Sequence, residues 1–359
     1  MKRKLASIQK IIDIQAIPGA DRIEVVTILG WEIIVSKSEN YKIGQEVIYC
    51  EIDSVLPDKA EFEFLRKSKF RVKTIKLRKQ ISQGLVLSLD HLPNKTILFD
   101  KINIGKDVTT LLGITKYIPP SEREKVQRVK AKYHWTKKYI LTNYLWRFQW
   151  FREFIRPTID LSWPSHIPKT DEERIQNIPE ILEEYKNHKF SITEKIDYQS
   201  VTFTKIKNKL VVCSRNLQNI DKTSLYWRIA EKYNLDYICK QYDNIVIQGE
   251  QGGPGVQKNL YKIDAPVLFV FNVIIDGKFL SPSEMKLFCN THNLQTVPYL
   301  GFVTLSQFKT VKDIIDFAAG KSVVNPKIER EGLVFRYIAD GKKVISFKVI
   351  NNKFLLKYD

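Results

Sequence analysis

EKIDYQS, residues 194–200, sets a lysine and a carboxylate two residues apart inside a run that otherwise reads as a β-strand. On an extended backbone Lys195 and Asp197 share one face, while Ile196 and Tyr198 point to the other. An ordinary lysine is a poor nucleophile, because a pKa near 10.4 leaves only roughly one in a few thousand deprotonated at neutral pH. A neighbouring cation or a desolvated pocket makes it useful. Alone, K-x-D carries little, since most such triplets are surface ion pairs. The strand ends that follow decide its meaning.

Read in order, Ser214-Arg215-Asn216 closes one strand, and Gln248-Gly249-Glu250 closes another and runs into Gly252-Gly253-Pro254-Gly255. VLFVFNVII, residues 267–275, is an aromatic strand; Glu331-Gly332-Leu333-Val334 opens a further one, and Ser346-Phe347-Lys348 lies in the last. Together these resemble the six ordered motifs of covalent nucleotidyltransferases, the superfamily of ATP-dependent ligases and capping enzymes. Within it the chain is similar to RNA ligases that carry an N-terminal OB module. DSVLPDKAEFEFLRKSKFRVKTIKLRKQISQGL (53–85), IPKTDEERIQN (167–177) and GEQGGPGVQKN (249–259) add to the resemblance.

The resemblance implies a lysyl-AMP chemistry. Lys195 attacks the α-phosphate of ATP; Asp197, Glu250 and Glu331 surround it and bind hydrated Mg²⁺ or Mn²⁺, whose charge helps depress the lysine pKa. Arg215 and Lys348 hold phosphates, Glu194 lies beside the nucleotide, Glu250 also reaches the ribose, and Phe271 stacks on adenine. Taken singly, Phe271 also reads as core and Arg215 as a surface charge. AMP then passes to a 5′-phosphate and a 3′-hydroxyl displaces it, so the implied activity is RNA repair or nick sealing. Two positions depart from the pattern. Tyr198 stands where glycine is usual, and Ile350 stands where a second phosphate-binding lysine often follows Lys348; Lys353 or Lys357 is a substitute. Strand parity sends the Tyr198 ring away from Lys195, so it is expected to pack.

Composition agrees with a nucleic-acid enzyme. In 359 residues, 58 Lys and Arg against 40 Asp and Glu leave a net charge of +18, which suits a polyanionic partner, nucleic acid or an anionic membrane surface. Four scattered cysteines and five histidines exclude a disulfide scaffold and a zinc site. No apolar run is long enough to span a bilayer. A monomeric, intracellular, cytoplasmic protein acting on RNA and not on membranes is the expectation.

The chain divides, on this reading, into an α+β arrangement of three parts. Residues 1–116 hold five short strands with glycine and proline between them, expected to form an OB-type barrel. Within them Arg71, Lys73, Lys76 and Arg78 form a basic stripe for nucleic acid, its parity slipping at Thr74, where a bulge is predicted. Residues 117–168 read as a basic, aromatic helical linker, packed on its neighbours or laid on RNA or a membrane surface. Residues 169–359 read as the nucleotidyltransferase domain: a capped helix over TDEERIQNIPEILEEYKNH, then strands interrupted by helices at LYWRIAEKYN and TVKDIIDFAAG. Two other functions compete. An mRNA capping guanylyltransferase implies the OB module after the catalytic domain, against the order here. A non-catalytic RNA-binding protein with a decayed site has no reason to keep Lys195, Asp197, Arg215, Glu250, Glu331 and Lys348.

Overall fold

The computed structural model describes residues 4–93, 103–118, 126–128, 144–155 and 158–358. In the N-terminal module, strand Glu46–Cys50 is central, pairing antiparallel with Ala6–Lys10 on one side and Leu85–Leu87 on the other. Its apolar run VIYC, residues 47–50, follows from burial on both faces. Val47 and Tyr49 enter a core with Val26, Ile28, Trp31 and Ile33, whereas Ile48 and Cys50 enter a second with Ile8, Leu56, Phe70 and Val72. A meander of Asp13–Ala16, Ile23–Ile28 and Trp31–Ser36 and the hairpin Thr74–Leu77/Gln80–Gln83 complete the barrel. The Ser82 hydroxyl accepts from the Ile34 amide and ties hairpin to meander.

The basic stripe is not one strand with a bulge at Thr74. Residues Ala60–Ser68 form a 3₁₀ stretch, Lys69 and Phe70 turn left-handed, and the strand begins only at Thr74. The turn is held because Phe70 and Val72 are buried beside the 53–56 segment, which exchanges backbone hydrogen bonds with them. Ile75 and Leu77, expected on the apolar side, are 54% and 45% exposed.

Two other expectations are corrected. In the 117–168 segment, Val126–Arg128 is a strand paired with Thr158–Asp160, and helix is limited to residues 144–145 and Gln149–Ile155 among the described residues there; much of the predicted helix lies outside the described residues. In place of the capped helix after Thr170, Glu173–Arg174 adds a parallel edge to strand Lys343–Ile350. A 3₁₀ turn and the short helix Ile181–Glu184 follow. Backbone pairing at an open sheet edge here outweighs helix propensity, a weak prior.

Two sheets make the C-terminal domain. One is ordered Glu173–Arg174, Lys343–Ile350, Gly332–Ala339, Lys189–Lys195, Tyr299–Thr304; the other Lys209–Cys213, Gln199–Ile206, Ile245–Gly252, Val267–Ile275, Lys278–Phe279. Both expected helices form, at Leu225–Lys232 and Val311–Ala318, the latter with a capping box of Thr310 and Asp313. Helices Leu235–Lys240, Pro282–Thr291 and Asn352–Tyr358 were not anticipated. The N-terminal module is seated on this domain: Ile81 packs with Ile350, Phe354 and Leu355, and the Arg174 guanidinium lies over the Trp31 ring at 5.2 Å.

The chain crosses from the first sheet to the second within Ile196, Asp197 and Tyr198. Ile196 and Tyr198 fill the space between the sheets with Tyr261, Val267, Phe269 and Val297, so the Tyr198 ring packs, as parity required. Its hydroxyl donates to Asn259 Oδ1 at 2.6 Å. The missing glycine has a counterpart: a Cβ on Gly252 would stand 2.2 Å from the Tyr198 ring. The ring occupies this space, and Gly252 makes room for it. Gly252→Ala is therefore expected to destabilise the protein by about 1–3 kcal/mol, the range of overpacked cores. Chemical denaturation measures this, and the loss should shrink in a Tyr198→Ala background, as coupled sites do.

Candidate active site

Strand register builds the centre. Lys195 pairs with Gly332, so Glu331, one residue before that strand, comes beside the lysine. The Lys195 ammonium donates to both Glu331 carboxylate oxygens at 2.7 Å. Gly332 is required for this closeness: a Cβ there would lie 2.1 Å from the Val349 carbonyl oxygen of the next strand. From the second sheet, Glu250 pairs with Ser200 and Phe269 and brings its carboxyl to the same place.

Here the sheets part over a cavity of about 620 Å³, within the roughly 300–1,000 Å³ of small-molecule sites. Its wall includes Glu194, Lys195, Arg215, Glu250, Phe271, Glu331 and Lys348, seven of the residues singled out from the sequence. Asp197 is not on that wall; it acts on Lys195 through its charge, and its amide donates to the Tyr261 hydroxyl. Of the basic stripe, Arg71 lines the cavity, whereas Lys73, Lys76 and Arg78 are exposed away from it.

The charges in the cavity are strongly perturbed. Burial disfavours the Lys195 ammonium, but Glu331, Glu250 and Asp197 outweigh it and hold the lysine pKa above its ordinary value. Burial pushes the Glu250 carboxyl well upward, with Glu331 and Asp197 adding to the rise and Lys195 and Arg215 opposing it; its Oε2 is buried with no hydrogen-bond partner. Burial likewise lowers Lys348 to about 8, helped by the cations Lys195, Arg174 and Arg215. Glu194 is raised chiefly by burial; one carboxylate oxygen accepts from the Val323 amide at 2.7 Å, and the other has no partner. Arg215 pairs with Asp171 at 2.6 Å near the surface, a contact worth little in water and readily exchanged.

Phe271 owes its position to a bulge. Gln248 pairs with Asn272 and Gly249 with Val270, leaving Phe271 between them without a cross-strand partner. A bulge re-aims the side chain it contains, and this one faces the cavity. Its carbonyl accepts from Arg336 Nη1 at 2.9 Å, and Arg336 Nη2 pairs with Glu172 at 2.7 Å. The Ser346 hydroxyl donates to the second Glu172 oxygen. Glu172, Arg174 and Arg336 were not singled out from the sequence. The only signal was the acidic-basic cluster TDEER, read as a helix start and not as a sheet edge facing a cavity. Ile350 is buried against Ile81 of the N-terminal module, so the position that lacks a lysine is part of the seam between domains. Lys353 and Lys357 are exposed on the last helix and neither lines the cavity, so neither stands in for the missing lysine.

Comparison with known proteins places this arrangement. An OB-fold domain family matches residues 5–89, and an RNA ligase family matches residues 188–350. Comparison with curated protein sequences gives no match. Among solved structures, a Naegleria gruberi RNA ligase with pyrophosphate is 30% identical, with 99% of each chain covered and a TM-score of 0.73. A variant of that ligase with ATP and manganese gives the same identity, coverage and TM-score; one with AMP and manganese is 29% identical, again with 99% of each chain covered and a TM-score of 0.73. At this identity over its whole length, the chain belongs to the RNA ligase family and carries an OB-fold domain at its N-terminus.

Proposed function

We propose that this RNA ligase seals RNA through adenylylation of Lys195, using ATP and a divalent cation. The observation that carries the reading is the lysine itself, held at the junction of two sheets by Glu331 and faced by a buried, unpartnered Glu250 oxygen. In the first step the deprotonated Lys195 nitrogen attacks the α-phosphorus of ATP. An N–P bond forms, the bond to the bridging oxygen breaks, and pyrophosphate leaves with the electron pair. In the second, an oxygen of the RNA 5′-phosphate attacks the same phosphorus and releases the lysine. In the third, a 3′-hydroxyl attacks the activated 5′-phosphate, a phosphodiester forms, and AMP leaves.

The residues fit a hard cation. Glu250 and Glu331 offer carboxylate oxygens, the donor type that Mg²⁺ and Mn²⁺ prefer. Among the described residues no three His, Cys, Asp or Glu converge tightly enough to hold an ion, as expected where water and substrate phosphates complete the shell. Seven Lys and Arg and seven Asp and Glu line the cavity. A lining without net charge cannot offset a polyphosphate, and a divalent ion supplies the missing positive charge and helps the lysine lose its proton. Glu331 holds Lys195 in place and, while paired with it alone, keeps it protonated. Arg215 and Lys348 bind phosphate oxygens, Phe271 stacks on the base, and the unpartnered Glu194 oxygen accepts from the exocyclic amino N–H of adenine.

The OB module supplies the hold on RNA. Lys73, Lys76 and Arg78 are exposed on and beside the hairpin of residues 74–83, with Arg78 and Lys79 both left-handed at its tip and Arg78 Nη1 donating to the Gly19 carbonyl. The sealed strand is the partner this surface fits, in a single chain acting on a broken or nicked RNA. The order of modules, OB first, favours ligation over guanylyl transfer to an mRNA end.

Incubation with ATP and Mg²⁺ should add one AMP to the intact mass, acid-labile and alkali-stable. Lys195→Ala and chelation of the cation should each abolish it; a Lys195→Ala protein that still gains AMP would sink the reading. Replacing Lys73, Lys76 and Arg78 by glutamine should leave that adduct intact. It should weaken RNA binding and lessen its dependence on salt, because fewer counterions are released; titrations at several ionic strengths measure the slope.

A further inference from the structure

The stretch between the two domains carries a surface that no step above uses. Helix Gln149–Ile155 and the residues just before it bury Phe151, which meets the Trp146 ring edge-on at 5.9 Å. Four other rings face outward. Tyr144, Phe148, Trp150 and Phe154 are exposed, the last two by 63% and 75%. Trp150 and Phe154, four residues apart on the helix, share one face. Tyr144 meets Phe148 edge-on at 5.6 Å, and the Arg147 guanidinium lies 5.7 Å from the centre of the Tyr144 ring. Arg147 and Arg152 are exposed among these rings. Large apolar side chains gathered in water mark an interaction site.

Three observations select the partner. Every exposed apolar side chain described in residues 144–154 is a ring, with no exposed aliphatic side chain beside it; flat rings suit bases, whereas a face for acyl chains mixes in leucine. The charges among the rings are arginines, the sign that meets phosphates. The surface is also tied to the catalytic cavity. Past the helix, the Leu161 carbonyl accepts from the Gln218 amide and Gln218 Nε2 donates to the Ser162 carbonyl, both at 2.9 Å. Ser162 bridges Leu217, two residues beyond Arg215 in the cavity wall. The six residues from Ile155 to Leu161 span at most about 22 Å. A strand with its end in the cavity therefore comes within reach of the helix in about ten nucleotides, at roughly 3.4 Å each.

We propose that the exposed aromatic face of residues 144–154 is a stacking platform for unpaired bases of the RNA beside the break, with Arg147 and Arg152 on the adjoining phosphates. Bases in a perfect duplex stack on one another and offer these rings no face, whereas unpaired bases splay out onto aromatic side chains. The platform therefore adds affinity for broken ends that carry single-stranded RNA and none for a nick in perfect duplex. The inference rests on the RNA-sealing reading above for the identity of the strand; binding itself is measured without ligation.

Equilibrium binding of the full chain to a single-stranded RNA and to a nicked duplex of the same sequence tests this, at several ionic strengths. Wild type is compared with three double variants: Trp150→Ala with Phe154→Ala, Trp150→Leu with Phe154→Leu, and Trp150→Phe with Phe154→Tyr. The alanine and leucine pairs should weaken single-strand binding about ten- to a hundredfold, the effect of losing base stacking. Their salt slope should stay unchanged, because no charge that releases counterions is lost. The aromatic pair should bind like wild type, and the nicked duplex should bind all four proteins alike. Phe154→Ala alone, which removes a largely exposed ring, should show part of the same loss at an unchanged melting temperature. Wild-type single-strand affinity in the alanine pair, equal loss on both RNAs, or full retention by the leucine pair would each overturn the proposal. So would co-sedimentation with phosphatidylserine vesicles that the alanine pair abolishes while RNA binding is unchanged, the result expected of a membrane-surface helix. Lysyl-AMP formation by the wild type is scored separately: its absence counts against the ligase reading, while loss of single-strand binding in the alanine pair still supports the platform.

Discussion

The ion pair between Lys195 and Glu331 is the contact around which the molecule is arranged. It exists because two neighbouring strands pair with Lys195 opposite Gly332, and because that glycine lets the third strand approach without a side chain in the way. Removing either partner from a half-buried pair leaves a charge with poor solvation, which is expensive. The pair therefore preserves the register and keeps the lysine charged.

The second consequence of that register is the short passage between sheets. Three residues carry the chain from the sheet that holds Lys195 to the sheet that holds Glu250, so groups far apart in sequence meet over one cavity. Tyr198 and Gly252 show how such a passage tolerates change. Bulk added on one strand is compensated by its absence on the facing strand, and the backbone course near the lysine is kept. At the domain seam, Ile350 packs on Ile81 of the OB module and two residues of the last helix. Fixing the module to the catalytic domain brings Arg71 and Tyr117 into the wall of the cavity, so the two domains share one site.

Most of the cavity's charged lining was legible in the sequence because it resides in short segments of recognisable pattern. Lys195, Arg215, Glu250, Phe271, Glu331 and Lys348 are each marked by neighbours, and the order of the segments along the chain is itself information. The long alternating and apolar strands of the C-terminal domain were legible for a similar reason: period-two patterning over seven or more residues is a local property. The paths of the 60–79 and 170–188 segments were not. Buried anchors such as Phe70 and Val72, or an open edge beside Lys343–Ile350, override local propensity there, and no residue in those segments announces its distant partner.

By itself, then, the sequence determined which side chains to look for around Lys195, that an OB module precedes an RNA ligase domain, and that the Tyr198 ring packs. Tertiary structure alone decided that Gly252 accommodates that ring, that Phe271 enters the cavity through a bulge, that Ile350 belongs to a domain seam, and that Arg71 lines the cavity while Lys73, Lys76 and Arg78 do not. The physical reason is the range of the interactions. Charge and strand parity are set by a residue and its immediate neighbours, whereas close approach, cross-strand register and the meeting of two domains depend on contacts between residues distant in the sequence.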